Sequence, residues 1–277
     1  MTNETAAGCS TDAGVRKLKI GLLGLSDPAP WPQELTEALD FCDLHVSDIL
    51  SQPSTGRQRA AVWNDWMAQG DFDWIFDVSG GNLSTLALPF LDLDLYAACK
   101  TIFAGYSDLT PVLNALTSRT GRKTLLFSAR QNIPALAAFL TAGDKTLVMP
   151  EWQALGSFSL RSLVGAPVYG GNIRCLLKLA GTPWWPDLTD RGLFLEARSG
   201  DAFAIASMLA QLANMGVLDR IRFLALGQFT QLQDPLPVVK AVLAQLDTKP
   251  DLPVLITADV GHAPGSKGLW LGKEILS

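Results

Sequence analysis

The stretch KTIFAGYSDLT (residues 100–110) decides the fold, because it joins a predicted strand to a predicted helix through a tight turn. An apolar run rich in strand formers ends at Gly105, and apolar residues at helical spacing begin at Leu109. Ser107 lies between them. A serine on such a turn exposes its hydroxyl, and the first amides of the helix point at whatever the hydroxyl attacks. Ser107 and Asp108 also suit a helix N-cap, so this stretch alone is compatible with a nucleophile elbow and with a cap.

Apolar runs of strand composition recur on both sides of this stretch. They lie at residues 17–25, 73–78 and 123–127, and again at 192–196, 220–226 and 253–257. Helical spacing is found at 31–42, 57–69 and 201–215, and YGGN at 169–172 is predicted to open a further helix. Strands that alternate with glycine turns and helices predict an α/β fold with a mostly parallel sheet. Ligands bind such sheets at the carboxyl ends of the strands, where Gly80-Gly81 and Ser107 both fall.

A length of 277 residues is enough for two domains. Residues 1–16 are small and polar and are expected to be disordered. The regular pattern over 17–130 predicts an N-terminal domain that carries the elbow. The periodicity weakens over 131–162, which we interpret as a linker, and it resumes in a predicted C-terminal domain at 163–277.

Composition argues against several classes of partner. The net charge is −5, the pI is about 5.0 and there is no basic run, so neither nucleic acid nor an anionic membrane is expected to bind. The uncharged run at 202–218 contains polar residues and is predicted as a helix of a globular fold. The cysteines lack CxxC or metal-type spacing, which favours free thiols and a cytoplasmic location; they are Cys9, Cys42, Cys99 and Cys175.

The two histidines have different sequence contexts. His45 lies in a short strand-like run, where a structural role is expected. His262 follows a predicted strand inside a loop rich in glycine and proline, which is a favourable place for a site residue. So few histidines, without clustered cysteines, argue against a zinc hydrolase. Catalysis by a serine nucleophile is the class of mechanism that remains. It requires a base within about 3 Å of Ser107 and an acid that orients the base.

The acid and the oxyanion donors have candidates as well. Glu196 ends a predicted strand and is a candidate acid, although an ordinary exposed glutamate at a sheet edge has the same pattern. The amide of Asp108 is placed by the elbow, and Gly80 or Gly81 lets a second backbone amide approach closely. A glycine pair is also common in turns without any catalytic role.

These residues resemble four sequence blocks of the LD-carboxypeptidase family of serine peptidases, which also contains the microcin C immunity proteins. The blocks follow the family's order over about residues 74–272. They are GG at 80–81 with LPFLD at 88–92, GYSDLT at 105–110, GGN at 170–172 with GT at 181–182 and LFLE at 193–196, and GH at 261–262 with GLWLG at 268–272. The elbow block matches the family's G-Y-S-D-x-T pattern in full.

The resemblance implies an N-terminal flavodoxin-like parallel-sheet domain and a C-terminal β-rich α/β domain, with the active site at their interface. Ser107 would be the nucleophile, His262 the general base and Glu196 its orienting carboxylate, with the amides of Asp108 and Gly81 as the oxyanion hole. Family members are typically homodimers. The implied reaction is hydrolysis of the amide between an L-centre and a C-terminal D-amino acid, as when D-alanine is removed from murein tetrapeptides in cell-wall recycling. It requires no metal or organic cofactor.

The chain departs from the family pattern at two places. Where the family usually has Arg-Gly-Gly-Tyr-Gly, this chain has SGGNL at 79–83, and where it usually has His-Gly-Pro, this chain has SAR at 128–130. Arginine is the preferred side chain for binding a substrate carboxylate, and Arg130 and Arg174 are candidates to supply the missing charge. Gly80, Asn82 and Trp184 are candidates for substrate contacts.

Two other functions are compatible with the same residues. An amidase of the microcin C immunity type would act on a peptidyl-nucleotide, and the pair Trp184-Trp185 would then stack on the base. The same pair also suits packing at a domain interface. A non-catalytic protein that binds small peptides is the third possibility, supported by the altered loop at 79–83.

Overall fold

Two β-sheets with helices packed against them make up the computed structural model, which describes residues 16–246 and 251–275. Cys9 and the disorder predicted for residues 1–16 therefore lie outside the described residues, apart from Arg16. The strands are β1 Lys19–Leu23, β2 Asp43–Val46, β3 Trp74–Asp77, β4 Ile102–Gly105, β5 Thr124–Leu126, β6 Gln153–Leu155, β7 Val168–Asn172, β8 Gly192–Ala197, β9 Phe223–Phe229, β10 Val254–Ile256 and β11 Leu269–Leu271.

The helices connect these strands and cover both sheets. They are α1 Gln33–Ala38, α2 Gly56–Gln69, α3 Ser84–Ala87, α4 Leu93–Ala98, α5 Thr110–Thr120, α6 Ile133–Ala142, α7 Ile173–Leu176, α8 Ala202–Asn214, α9 Val217–Arg220 and α10 Leu236–Gln245. Short 3₁₀ turns lie at Asp48–Leu50, Leu88–Phe90, Ser107–Leu109, Lys145–Val148, Leu160–Leu163 and Leu177–Leu179. Within residues 16–246 and 251–275, no helix combines the length and the apolar character needed to cross a membrane.

The first sheet has the strand order β11-β5-β4-β3-β1-β2. Strands β1 to β5 are parallel to one another, and β11 joins the edge in the antiparallel direction. The order 2-1-3-4-5 is that of flavodoxin-like folds. Every residue of the central strand β3 is buried, as expected for a parallel strand covered on both faces. The expected flavodoxin-like sheet is therefore confirmed.

The second sheet has the order β6-β10-β9-β8-β7. Strands β7 to β10 are parallel, and β6 is an antiparallel edge strand. Strand β8 is buried along its whole length. Together the two sheets and their helices confirm the predicted α/β class.

The chain passes from one sheet to the other more than once. Strand β6 lies inside the segment predicted as a linker, 131–162, and pairs with β10 of the second sheet. Strand β11 lies within 163–277 but pairs with β5 of the first sheet. One buried apolar cluster contains residues of both sheets, such as Phe103 and Phe194. The division into 17–130, 131–162 and 163–277 stays a prediction.

The expectation that YGGN at 169–172 opens a helix is confirmed, because Asn172 is the N-cap of α7, which begins at Ile173. The same residues also complete β7, a strand that the sequence did not indicate. Gly170 and Gly171 have φ values of 120° and 135°, and a Cβ on Gly170 would lie 2.0 Å from the carbonyl oxygen of Phe194. The glycines therefore allow close packing inside β7. Because glycine has a low strand propensity, the local sequence does not indicate a strand here.

A seam of hydrogen bonds joins α5 to β7. The Asn114 side-chain amide donates to the carbonyl of Gly170 and its oxygen accepts from the Gly170 amide, both at 2.8 Å. The Thr110 hydroxyl accepts from the Asn172 amide at 3.0 Å. Asn114 is fully buried, so its side chain supplies the hydrogen bonds that the buried backbone of Gly170 requires. The seam fixes the start of α5 against the end of β7.

We expect Asn114→Ala to destabilise the fold by at least about 2 kcal/mol, because it leaves both backbone groups of Gly170 buried without partners. Urea unfolding measures this change. Ser118→Ala, on the same helix, is the matched control. Among the residues that the structure describes, its hydroxyl bonds only to the Ala115 carbonyl, so the loss should stay below about 0.5 kcal/mol. Equal losses in the two variants would contradict the role assigned to the seam.

Candidate active site

Ser107 lies on a strained elbow between β4 and α5. Its φ is 55°, in the left-handed region that costs a non-glycine residue about 1–2 kcal/mol. Gly105 permits the turn, because a Cβ there would lie 2.9 Å from the Cβ of Leu109. The Ser107 side chain makes no cap hydrogen bond to the helix that follows; Thr110 instead donates its hydroxyl to the Ser107 carbonyl at 2.7 Å. The geometry favours the nucleophile elbow over a simple N-cap.

His262 and Glu196 form a buried pair. Nδ1 of His262 lies 2.6 Å from Oε2 of Glu196, and the two side chains are 6% and 0% exposed. The other ring nitrogen, Nε2, is buried and has no hydrogen-bond partner among the described residues. Glu196 is therefore not an exposed glutamate at a sheet edge. The pair has the arrangement of an oriented base with one nitrogen left for a proton.

The loop that carries His262 is held by amide side chains. Gln131 donates its Nε2 to the His262 carbonyl at 2.9 Å, and Oε1 of Gln228 accepts from the Ala263 amide at 2.9 Å. Gly261 lies against Gln228, where a Cβ would be 2.3 Å from the side chain. Two elements from different parts of the chain thus fix the position of the imidazole.

Tyr106 connects the elbow to this pair. Its ring centroid lies 4.9 Å from that of His262 in an edge-to-face arrangement. Burial and the nearby charge of Glu196 raise the pKa of Tyr106 well above 10, so the phenol stays protonated. Its hydroxyl and Oε1 of Glu196 are both buried and without a hydrogen-bond partner in the described part of the chain. The residue before the predicted nucleophile therefore packs directly on the predicted base.

Ser107 opens into a cavity of about 210 Å³. Two more of the residues predicted for the site, Gly81 and Asn82, line it with Ser107. Its full lining is Gly81, Asn82, Ser107, Asn172, Arg174, Arg198 and Ser199. Of these, Arg198 and Ser199 were not identified from the sequence. Arg198 could have been found, because it is a cation two residues after Glu196, the candidate acid at the end of a strand.

The glycine loop beside Ser107 is fixed by Asp27. The Asp27 amide donates to the Gly80 carbonyl at 3.1 Å, and its carboxylate accepts from the Asn82 amide at 3.0 Å. Gly81 has a φ of 118°, and a Cβ there would lie 2.1 Å from the Asp27 carboxylate. Only glycine fits at Gly81, whereas a Cβ on Gly80 would meet nothing within 4 Å. Of the two glycines, Gly81 is therefore the one whose backbone must lie close to a neighbouring side chain, that of Asp27.

Several predicted site residues do not line this cavity: Gly80, Asp108, Glu196, His262, Trp184 and Arg130. Trp184 is half-buried against the apolar cluster, with the guanidinium of Arg119 6.0 Å from its ring, and it does not line the cavity. Arg130 donates to the carbonyls of Val78 and Pro30 at 2.8 and 2.6 Å and lines a different cavity with Trp31. Of the two arginines considered for the substrate carboxylate, Arg174 alone is at the Ser107 cavity.

The side chain of Asp108 is a buried anchor for the elbow. Its carboxylate accepts from the Ser26 hydroxyl at 2.6 Å and the Ser84 amide at 2.9 Å, and it forms an ion pair with Lys178. Burial alone would raise the pKa of Asp108, but the hydrogen bonds from Lys178, Ser26 and Ser84 outweigh it and hold the pKa below its ordinary 3.8. The ionised carboxylate joins the elbow to the segment after β1, to α3 and to the 3₁₀ turn at Leu177–Leu179.

We expect Lys178→Met to destabilise the fold by about 2–3 kcal/mol at neutral pH, since it leaves a buried charge unpaired. The pKa of Asp108 would then rise above its unfolded value. The native state would bind more protons than the unfolded state, so the loss should shrink towards about pH 5. Urea unfolding at both pH values measures this.

The control for that experiment is the double variant Asp108→Asn/Lys178→Met, which removes the unpaired charge. Its stability loss should not depend on pH over the same range. A loss in Lys178→Met that is the same at both pH values would contradict the role given to the ion pair.

Comparison with known proteins identifies the family of this chain. The N-terminal domain model of the LD-carboxypeptidases matches residues 22–126, and the C-terminal domain model of the same family matches residues 165–275. The microcin C7 self-immunity protein MccF of Escherichia coli is 27% identical over 264 residues, covering 80% of this chain and 75% of that protein.

Solved structures of two such proteins share the fold. A structure of MccF in complex with glutamyl sulfamoyl guanosine superposes with a TM-score of 0.76 at 22% identity and covers 93% of this chain and 92% of that one. Muramoyltetrapeptide carboxypeptidase from Oxalobacter formigenes gives 0.72 at 23% identity, over 92% of each chain. With both domain models matched in order, the chain belongs to the LD-carboxypeptidase family of serine peptidases.

Proposed function

We propose that this chain is a serine carboxypeptidase that removes a C-terminal D-amino acid from a peptide with an L-configured residue before it, and that its substrate is a murein tetrapeptide. The observation that carries the proposal is the buried His262–Glu196 pair with its unpartnered Nε2, whose imidazole packs on Tyr106, the residue before Ser107 on the strained elbow. The family membership supports the same class of reaction.

In the proposed mechanism, Ser107 Oγ attacks the carbonyl carbon of the scissile amide while Nε2 of His262 takes its proton. Glu196 accepts the Nδ1–H hydrogen bond, which selects the tautomer with a free Nε2 and stabilises the imidazolium. The amides of Asp108 and Gly81 bind the oxyanion. When the tetrahedral intermediate collapses, Nε2 returns the proton to the leaving amine. Water then hydrolyses the acyl-enzyme by the same steps.

The proposed role of Tyr106 is to hold the imidazole in place. Its neutral ring packs on His262, and its protonated hydroxyl lies in the same buried region as Oε1 of Glu196. The Asp108 side chain is proposed to act at a distance from the reacting atoms, because its ion pair with Lys178 fixes the elbow whose amide serves the oxyanion hole.

A second candidate is an amidase of the microcin C immunity type. The 27% identity to the MccF protein favours it, and a structure of MccF in complex with aspartyl sulfamoyl adenosine has been solved. Trp184, which was expected to stack on a nucleotide base, does not line the Ser107 cavity. We therefore place the peptide substrate first. A cytoplasmic location, a role in peptidoglycan recycling and a homodimeric assembly belong to the same proposal.

We expect the purified protein to release D-alanine from a murein tetrapeptide, and Ser107→Ala and His262→Ala to lose at least ~10³-fold in kcat/KM. His45→Ala is the matched control, because His45 is exposed and distant from Ser107 in the fold, on the far edge strand of the first sheet. It should keep full activity.

The same assay separates the candidates. Hydrolysis of aspartyl sulfamoyl adenosine without release of D-alanine would replace the first candidate by the second. Release that persists in Ser107→Ala would contradict the serine mechanism.

A further inference from the structure

Two arginines line the cavity into which Ser107 opens. Arg174, on α7, donates to Oδ1 of Asn82 at 2.9 Å and to the carbonyl of Gly81 at 3.3 Å. A guanidinium has five N–H donors, so these two bonds fix the plane of the group and leave further donors for a ligand. Arg174 is thus held against the loop that carries the proposed oxyanion donor.

Arg198 lies on another part of the same cavity. It follows the end of β8, two residues beyond Glu196, and is exposed to solvent. No described residue forms a hydrogen bond or an ion pair with the Arg198 side chain. A cation placed on a cavity wall next to the proposed nucleophile, without a protein partner in the described ranges, is available to a ligand.

No acidic side chain lines this cavity within the described residues. Three carboxylates on neighbouring segments are engaged elsewhere. Asp27 accepts from the Asn82 amide, Asp108 is buried in its ion pair with Lys178, and Glu196 is paired with His262. The cavity therefore combines two positive charges, the amide side chains of Asn82 and Asn172, and the Ser107 hydroxyl. Its charge balance favours an anionic ligand.

The size of the cavity limits what can enter. A volume of about 210 Å³ is below the ~300–1,000 Å³ typical of sites for drug-sized ligands. This volume suits one small C-terminal residue of a peptide. Arginine binds carboxylates through paired, charge-assisted hydrogen bonds, and two arginines can engage one carboxylate from two sides.

We propose that Arg174 and Arg198 form the subsite that binds the C-terminal carboxylate of the substrate. The inference rests on the proposed function, because it places the leaving D-residue in this cavity with its α-carboxylate between the two guanidinium groups. The subsite would select substrates that end one residue after the scissile bond, since a longer peptide has no charge at that point.

The test measures binding separately from catalysis. Calorimetry on the Ser107→Ala variant compares a murein tetrapeptide that has a free C-terminal carboxylate with the same peptide as its C-terminal amide. The free acid should bind at least ~10-fold more tightly than the amide, which is the gain in affinity expected from charge-assisted hydrogen bonds to a carboxylate. Adding Arg174→Ala or Arg198→Ala should remove most of this difference. Both side chains are exposed, so neither change should impair folding.

Arg161→Ala is the matched control, because Arg161 is exposed and lies outside the cavity lining. It should leave the preference for the acid unchanged. In the active enzyme, Arg174→Ala and Arg198→Ala should raise the KM for the free acid at least ~10-fold with a smaller change in kcat.

The outcomes distinguish this inference from the proposed function. If the wild-type protein releases D-alanine but acid and amide bind equally, the subsite is wrong and the function stands. If nothing is released but the acid preference exists and depends on both arginines, the subsite stands and the function is wrong. If inorganic phosphate competes with the acid more strongly than D-alanine does, the assignment to a carboxylate is overturned.

Discussion

The hydrogen bonds between Asn114 and Gly170 are the interaction on which the rest of this structure depends. They attach α5, which follows Ser107, to β7 of the second sheet. In the next strand of that sheet, Glu196 is in register with Asn172. The distance between the elbow and the acid of the proposed triad is therefore set by this seam, in which Asn114 bonds to the Gly170 backbone and Thr110 to the Asn172 amide. Gly170 and Gly171 permit this approach because any Cβ would collide with Phe194 or Thr110.

The topology explains how one histidine contacts residues that follow strands of both sheets. Ser107 follows β4 of the first sheet and Glu196 ends β8 of the second. His262 lies in the connection between β10 and β11, where the chain leaves the second sheet and returns to the first. A residue on that connection can pair with Glu196 and also pack on Tyr106 of the elbow. The two sheets are thus both needed to assemble the site.

Local sequence patterns predicted those parts of the fold that are dictated locally. Buried parallel strands such as β3 and β8 are apolar runs, and the elbow is a strand followed by Ser107 and a helical pattern. Strand β7 was missed because its glycines are required by Asn114 and Phe194, which are distant in sequence. Helix α6 was missed within the segment 131–162. Of the site, the local sequence indicated Ser107, Glu196 and His262 as candidates, and the resemblance gave them their roles. Arg198 and Tyr106 depend on which surfaces the fold brings together.

We propose that Ser107 is a nucleophile activated by His262 and Glu196. Intact-protein mass spectrometry after reaction with a fluorophosphonate, followed by peptide mapping, tests it most directly and needs no knowledge of the substrate. We expect a single phosphonyl adduct on Ser107 that forms far more slowly in His262→Ala and is absent from Ser107→Ala. An adduct on another residue, or equal labelling of Ser107→Ala, would contradict it.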